Sequence, residues 1–122
     1  MVNQEELFEA LDAMGVDFYT GVPDSLLNDF CLYMTNHMSA EQHVMAANEG
    51  NAIGIAAGYH MATGEIPVVY MQNSGIGNAT NPLLSLTNKD VYSIPLILVI
   101  GWRGDPAVKD HVQHKKQGEL TP

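Results

Sequence analysis

The side chains that could do chemistry fall in four short segments of this 122-residue chain. Glu49 stands in Asn48-Glu49-Gly50, between an apolar run and a long small-residue segment, where a strand hands over to a helix N-terminus. A carboxyl group there can exchange a proton with a ligand. Equally, an acid in a first helical turn is stabilised by the helix dipole by about 0.3–1 kcal/mol and needs no further purpose. Asp24 and Ser25 follow Pro23 at a second strand-to-helix turn, and either could cap the next helix. Gln72-Asn73-Ser74-Gly75-Ile76-Gly77 is a polar, Gly-rich loop that could hold a ligand by its amides and side chains or simply turn the chain. As a dinucleotide fingerprint it fails, because Thr80 stands where the last glycine belongs. Arg103 and His114 follow the most apolar run, and an Arg beside a His can bind a carboxylate or phosphonate in bidentate fashion.

Other chemistries lack their residues. His37, His43, His60 and His111 have no spacing that suggests a metal site, and the single Cys31 permits neither an internal disulfide nor a zinc ribbon. No GxSxG elbow supports a hydrolase.

These segments need a scaffold, and hydrophobic spacing supplies one. Asn3 followed by Glu6 is a variant of the capping box, and Leu7, Phe8, Leu11 and Met14 recur on one face before Gly15, which predicts a first helix. Asp17–Val22 reads as a strand, and Leu26, Leu27, Phe30, Cys31 and Met34 mark the buried face of a second helix. A strand over His43–Ala47 leads into a helix from Asn48 to Gly64. Pro67–Met71 reads as a strand, Gln72–Gly77 as a loop, Asn78–Asn88 as a helix despite Pro82, and Pro95–Ile100 as the strongest strand, with no closing helix after it. Short apolar strands alternating with helices argue for α/β architecture: one domain with an open parallel sheet and helices on both faces. Right-handed crossovers then bring the strand C-terminal ends, and all four segments, to one rim, where open α/β sheets bind ligands. Gly50, Gly54 and Gly58 form one helix stripe, which asks for close packing against another helix, the sheet or a partner subunit.

Charge narrows the classes. The net charge of -9 opposes phosphate-backbone binding, so nucleic acid and anionic membranes are excluded as partners. Ten of the fourteen acids lie between Glu5 and Glu65, whereas no Lys or Arg precedes Lys89. The late cations are either part of a solubilising surface or, as Arg103, Lys109, Lys115 and Lys116, a gathering near an anion site. The N-terminus has neither the basic start nor the apolar core of a signal peptide, and with one cysteine a reducing, cytoplasmic setting is expected.

Gly21–Leu27 (GVPDSLL), Asn48–Gly64, Asn73–Asn88 and Pro95–Pro106 together resemble the pyrimidine-binding domain of thiamin diphosphate-dependent 2-oxoacid decarboxylases, over nearly the whole chain. Within that family they are most similar to enzymes acting on phosphonopyruvate, with those acting on sulfopyruvate second. The resemblance implies the thiamin diphosphate-binding fold over residues 1–122, as a fragment or a separate subunit without the diphosphate-binding domain. It implies that Glu49 contacts the aminopyrimidine of the cofactor and, at a buried interface, shares a proton with it. Asp24 or Ser25 is then placed near the reacting centre, His114 is a further catalytic residue, and Gln72, Asn73 and Gly75 lie against the cofactor. Arg103 and Lys116 become cations for the substrate's anionic group. Magnesium is expected as a second cofactor, with its ligands in the missing domain and no metal site in this chain. The implied partners are a small 2-oxoacid and the diphosphate-binding domain of another subunit in a homo-oligomer, without which the chain is inactive. From another class, a non-catalytic α/β module that only assembles with a partner is the alternative.

Overall fold

Residues 2–122 are described by a computed structural model. Its centre is a four-stranded, wholly parallel sheet of order β2-β1-β3-β4. The strands are β1 (Tyr19–Gly21), β2 (His43–Met45), β3 (Val68–Gln72) and β4 (Ile97–Gly101). Their register, with Gly21 beside both Met45 and Tyr70 and Gln72 beside Gly101, brings the C-terminal ends to one edge.

Side-chain alternation along the strands divides the core in two. Tyr19, Val68 and Tyr70 point to one face and are covered by α1 (Gln4–Ala13) and α2 (Asn28–His37) through Phe8, Leu11, Phe30 and Met34. Phe8 stacks on both Phe30 and Tyr33, with ring centroids 4.8 and 4.3 Å apart. Val69 and Met71 point to the other face and meet Ala52, Ile53 and Ala56 of α3 (Glu49–Thr63) and Ala79 of α4 (Ile76–Pro82). The expected two-sided sheet is therefore present. The two edge strands are the least covered, with Met45 of β2 and Leu98 of β4 exposed.

Local signals account for the helix starts. The Asn3 side chain accepts from the Glu6 amide, and Asn48 Oδ1 accepts from the Asn51 amide at 2.9 Å, starting α3 at Glu49. Gly64, at φ +79°, ends α3 in the left-handed conformation that glycine adopts without strain.

Tyr70 spans three strands. Its ring lies over Gly21 of β1, where a Cβ would run into the Tyr70 carbonyl and ring, and its hydroxyl reaches His43 Nε2 on β2 at 2.8 Å. Burial pushes the Tyr70 phenol up and the His43 imidazole down, so both stay neutral.

Several expectations need correction. Gln72–Gly77 is not an open loop: a 3-10 turn at Asn73–Gly75 runs straight into α4, which ends at Pro82 and continues as a π-helical turn over Leu83–Thr87. Met14 and Leu26, expected on buried helix faces, are exposed: Met14 is the residue that ends α1, and Leu26 lies in the 3-10 turn Ser25–Leu27, ahead of α2. Cys31 is only half-buried, its thiol pushed up by partial burial. In the glycine stripe only Gly50 is closely approached, by the Asn78 carbonyl and the Asn48 side-chain oxygen, whereas Gly54 and Gly58 face open space. A closing helix does exist, α5 (Lys115–Leu120), held by contacts distant in sequence: Trp102 Nε1 donates to the Gly118 carbonyl at 3.1 Å, and Gly104 and Gly118 meet backbone to backbone. No helix among the described residues is long and apolar enough to cross a membrane.

Candidate functional site

Glu49 is the first residue of α3, at the C-terminal rim of the sheet. Its carboxyl rests against Gly75, where a Cβ would lie 2.5 Å from Glu49 Cγ and 2.6 Å from Oε1. Asn78, in the first turn of α4, donates its side-chain amide to Glu49 Oε2 at 2.8 Å. Among the described residues Oε1 has no hydrogen-bond partner, so one carboxyl oxygen is held and the other is free to meet a ligand. Asn78 was not singled out in the sequence. Its only signal is its position one turn after Gly75, at the start of the helix that follows the rim loop.

The other rim residues form one network. Asp24 caps the turn at Ser25–Leu27 by accepting the Leu26 amide at 2.8 Å through Oδ2, and its Oδ1 accepts from Gln72 Nε2 at 2.6 Å. Asp24 is thus the capping residue of the pair, while Ser25 is the more exposed and receives Arg103 Nη2 on its hydroxyl. Arg103 lies between two carboxylates, with Nε 3.8 Å from Asp24 Oδ1 and Nη1 3.3 Å from Asp110 Oδ1. Asp110 also accepts the His111 amide at 2.7 Å and the Gly104 amide at 3.0 Å. The His111 amide above all, then the Gly104 amide, Arg103 and His114, hold the Asp110 carboxyl below the usual carboxylate range. Asp110 is a second residue that sequence reasoning left without a role. Its link to Arg103 depends on the bend at Gly104, φ +74°.

Two side chains expected to touch a cofactor are occupied within the protein. Gln72 holds Asp24 and accepts from the Ser74 hydroxyl. Asn73 is only 2 % exposed and clamps the segment after β4: its amide donates to the Arg103 carbonyl at 2.9 Å and to Thr121 Oγ1 at 2.8 Å, while its oxygen accepts the Arg103 amide at 3.1 Å. With both ends of the amide engaged, the Asn73 side chain braces the segment after β4. Gly75 acts by giving Glu49 room.

The cations divide as well. Lys116 does not join Arg103: its side chain is 77 % exposed and pairs with Glu119 at 2.9 Å, one helical turn along α5. This contact raises the Lys116 ammonium and lowers the Glu119 carboxyl, a surface pair of little energetic weight. His114 sits at the start of α5, half-buried, with its ring 6.4 Å from that of His111. Among the described residues no three His, Cys, Asp or Glu side chains cluster as a metal site.

The arrangement can hold a carboxyl with one free oxygen at a helix N-terminus, beside a braced arginine and an exposed hydroxyl. The family model "Thiamine pyrophosphate enzyme, N-terminal TPP binding domain" matches residues 1–121. A phosphonopyruvate decarboxylase of Streptomyces viridochromogenes is 35% identical over 121 residues, covering 99% of this chain and 30% of that protein. The alpha subunit of a sulfopyruvate decarboxylase of Methanococcus maripaludis is 36% identical over 101 residues, covering 83% of this chain and 58% of that one. The chain therefore spans less than two thirds of the length of either relative. A thiamine diphosphate-dependent 4-hydroxybenzoylformate decarboxylase of Rhodococcus jostii RHA1 superposes with a TM-score of 0.70 at 27% identity, over 97% of this chain and 22% of its own.

Proposed function

The chain belongs to the family of N-terminal TPP-binding domains of thiamine pyrophosphate enzymes, and from that premise we propose that it is the pyrimidine-binding part of a decarboxylase acting on a short 2-oxoacid with an anionic head. The favoured substrate is 3-phosphonopyruvate, converted with uptake of one proton to phosphonoacetaldehyde and carbon dioxide. Sulfopyruvate is the second reading, favoured by the likeness to a separate alpha subunit.

The observation that carries the proposal is the Glu49 carboxyl, backed by Gly75, tied to Asn78 through Oε2 and open at Oε1. This pocket of space at Gly75, which a Cβ would fill, suits an acid that must present one oxygen to a flat heterocycle. When bound, thiamin diphosphate supplies the electron sink for the pair released with carbon dioxide. Glu49 holds or accepts a proton at Oε1 toward the pyrimidine ring nitrogen, and Asn78 fixes its angle. Ser25 presents a hydroxyl at the rim, Gln72 and Asp24 hold that turn in place, and His114, on the Asp110 side of Arg103, is the group proposed to carry a proton for the substrate. Magnesium and the diphosphate are assigned to a second domain, of another subunit, in an oligomer. The bare backbone of α3 at Gly54 and Gly58 supports such a partner's close approach. Cytoplasmic residence goes with this assignment.

The test is to combine the chain with a diphosphate-binding domain, thiamin diphosphate and magnesium and to follow carbon dioxide release from phosphonopyruvate and sulfopyruvate. Faster turnover of phosphonopyruvate is expected. Preference for sulfopyruvate moves the assignment to the second reading, and an assembly that neither binds the cofactor nor releases carbon dioxide contradicts both in favour of a purely structural module.

A further inference from the structure

Beyond the rim network, a hollow of about 370 Å³ is lined by Arg103, Lys109, Asp110 and His111. Two neighbouring hollows share Lys109 and Asp110 and are lined also by Asp105, and one of them reaches Lys115. A basic lining is unexpected in a chain of net charge -9, with five Lys and Arg in all. The charges in the hollow do not cancel equally. Asp110 spends Oδ1 on Arg103 and the His111 amide and Oδ2 on the Gly104 amide. Arg103 is in turn compensated by Asp24 and Asp110. Lys109 makes no ion pair among the described residues, so it carries the uncompensated charge of the hollow. His111 adds a ring nitrogen on the same wall.

We infer that this hollow takes the tetrahedral oxyanion head of a short organic acid, a phosphonate or a sulfonate, and that Lys109, with His111 beside it, is the specificity-determining cation. Arg103 shapes the wall through its carboxylate partners and is not the free charge, and Lys116 takes no part. The identification of that acid as the 2-oxoacid substrate rests on the function proposed above. Ser25, bonded to Arg103, joins the hollow to the rim where Glu49 stands.

The test has two arms. In the first, the full 122-residue chain is titrated with methylphosphonate and with methanesulfonate while backbone amide NMR shifts are followed. Saturable shifts centred on residues 103–111 are expected with either anion. The affinity should fall about fivefold in Lys109→Ala, recover in Lys109→Arg and stay unchanged in Lys89→Ala. A tighter fit to methylphosphonate assigns the hollow to phosphonates, and a tighter fit to methanesulfonate assigns it to sulfonates. Shifts centred elsewhere, or unaltered binding in Lys109→Ala, overturn the inference. In the second arm, the assembly with the diphosphate-binding domain is assayed, and Lys109→Ala should raise KM for the anionic oxoacid about fivefold with kcat retained. Normal turnover with unchanged KM overturns the hollow's role and leaves the decarboxylase reading standing. Saturable binding lost in Lys109→Ala, beside an assembly with no turnover, supports the anion site and overturns the decarboxylase reading.

Discussion

Gly75→Ala separates the position of Glu49 from the stability of the fold. The backbone at Gly75, φ -67° and ψ -18°, suits alanine, and a helical alanine is favoured over glycine by up to about 1 kcal/mol. The added Cβ would lie 2.5 to 2.7 Å from Glu49 Cγ, Oε1 and Cδ, against ordinary contact beginning at 3.4 Å. The neighbour in the way is the outer part of a flexible side chain, so Glu49 retreats by about 0.8 Å instead of the backbone moving. A retreat of that size along the bond to Asn78 takes it from 2.8 Å to about 3.6 Å, beyond hydrogen-bond range. Misplacing a catalytic group by about 1 Å costs on the order of a hundredfold in rate. In the assembly with the diphosphate-binding domain proposed above, kcat for carbon dioxide release should therefore fall about ten- to a hundredfold, while chemical denaturation of the chain stays within about 1 kcal/mol of the parent. Full turnover at unchanged stability would refute the claim that Gly75 seats Glu49. A collapse of stability would refute the reasoning that only a side chain stands in the way.

Gly21→Ala should behave in the opposite way: its Cβ would strike the Tyr70 carbonyl and approach ring atoms at 2.7 Å, so urea denaturation should show a loss of about 3 kcal/mol or more, a value below 1 kcal/mol contradicting the three-strand packing. Asn73→Ala leaves the Arg103 carbonyl without its side-chain donor, and leaves the Arg103 amide and the Thr121 hydroxyl only the Gly101 and Gln117 carbonyls; it should cost on the order of 1–3 kcal/mol, with hydrogen exchange rising first over residues 103–121. The Asp110 carboxyl is lowered in the folded chain, so its stabilising effect is fully present above the unfolded value of about 3.9 and is lost as pH falls through the folded value below it. Acid titration followed by NMR should release residues 103–114 in that window, and Asp110→Asn should abolish this pH dependence. If the variant titrates like the parent, Asp110 does not hold the segment.

Much of this architecture was legible because it rests on local rules. Asn48 as a cap and Gly64 as a left-handed stop fix α3 and put Glu49 at its first turn, and the apolar runs around Val68–Gln72 and Ile97–Gly101 set the parallel sheet. What escaped sequence reasoning depends on contacts between distant residues. Nothing in Gln72–Gly77 says that Asn73 will be buried and turned toward Arg103, because its partners arrive from the segment after β4 and from Thr121. The closing helix is likewise stabilised by Gly104 and Trp102, more than ten residues earlier, and its placement turns Lys116 toward Glu119 and away from the rim. The pairing of Asp110 with Arg103 needs the left-handed bend at Gly104, which the sequence Arg-Gly-Asp-Pro permits but does not dictate.

The central claim is that the Glu49 carboxyl, with Oε1 free, does the acid–base work of a thiamin diphosphate enzyme. Its most direct test is carbon dioxide release from phosphonopyruvate by the assembled protein carrying Glu49→Gln, which keeps the size and the contact with Gly75 but cannot hold the proton. The account predicts that kcat drops on the order of a hundredfold or more while the fold and assembly are retained. Turnover close to that of the parent would contradict it.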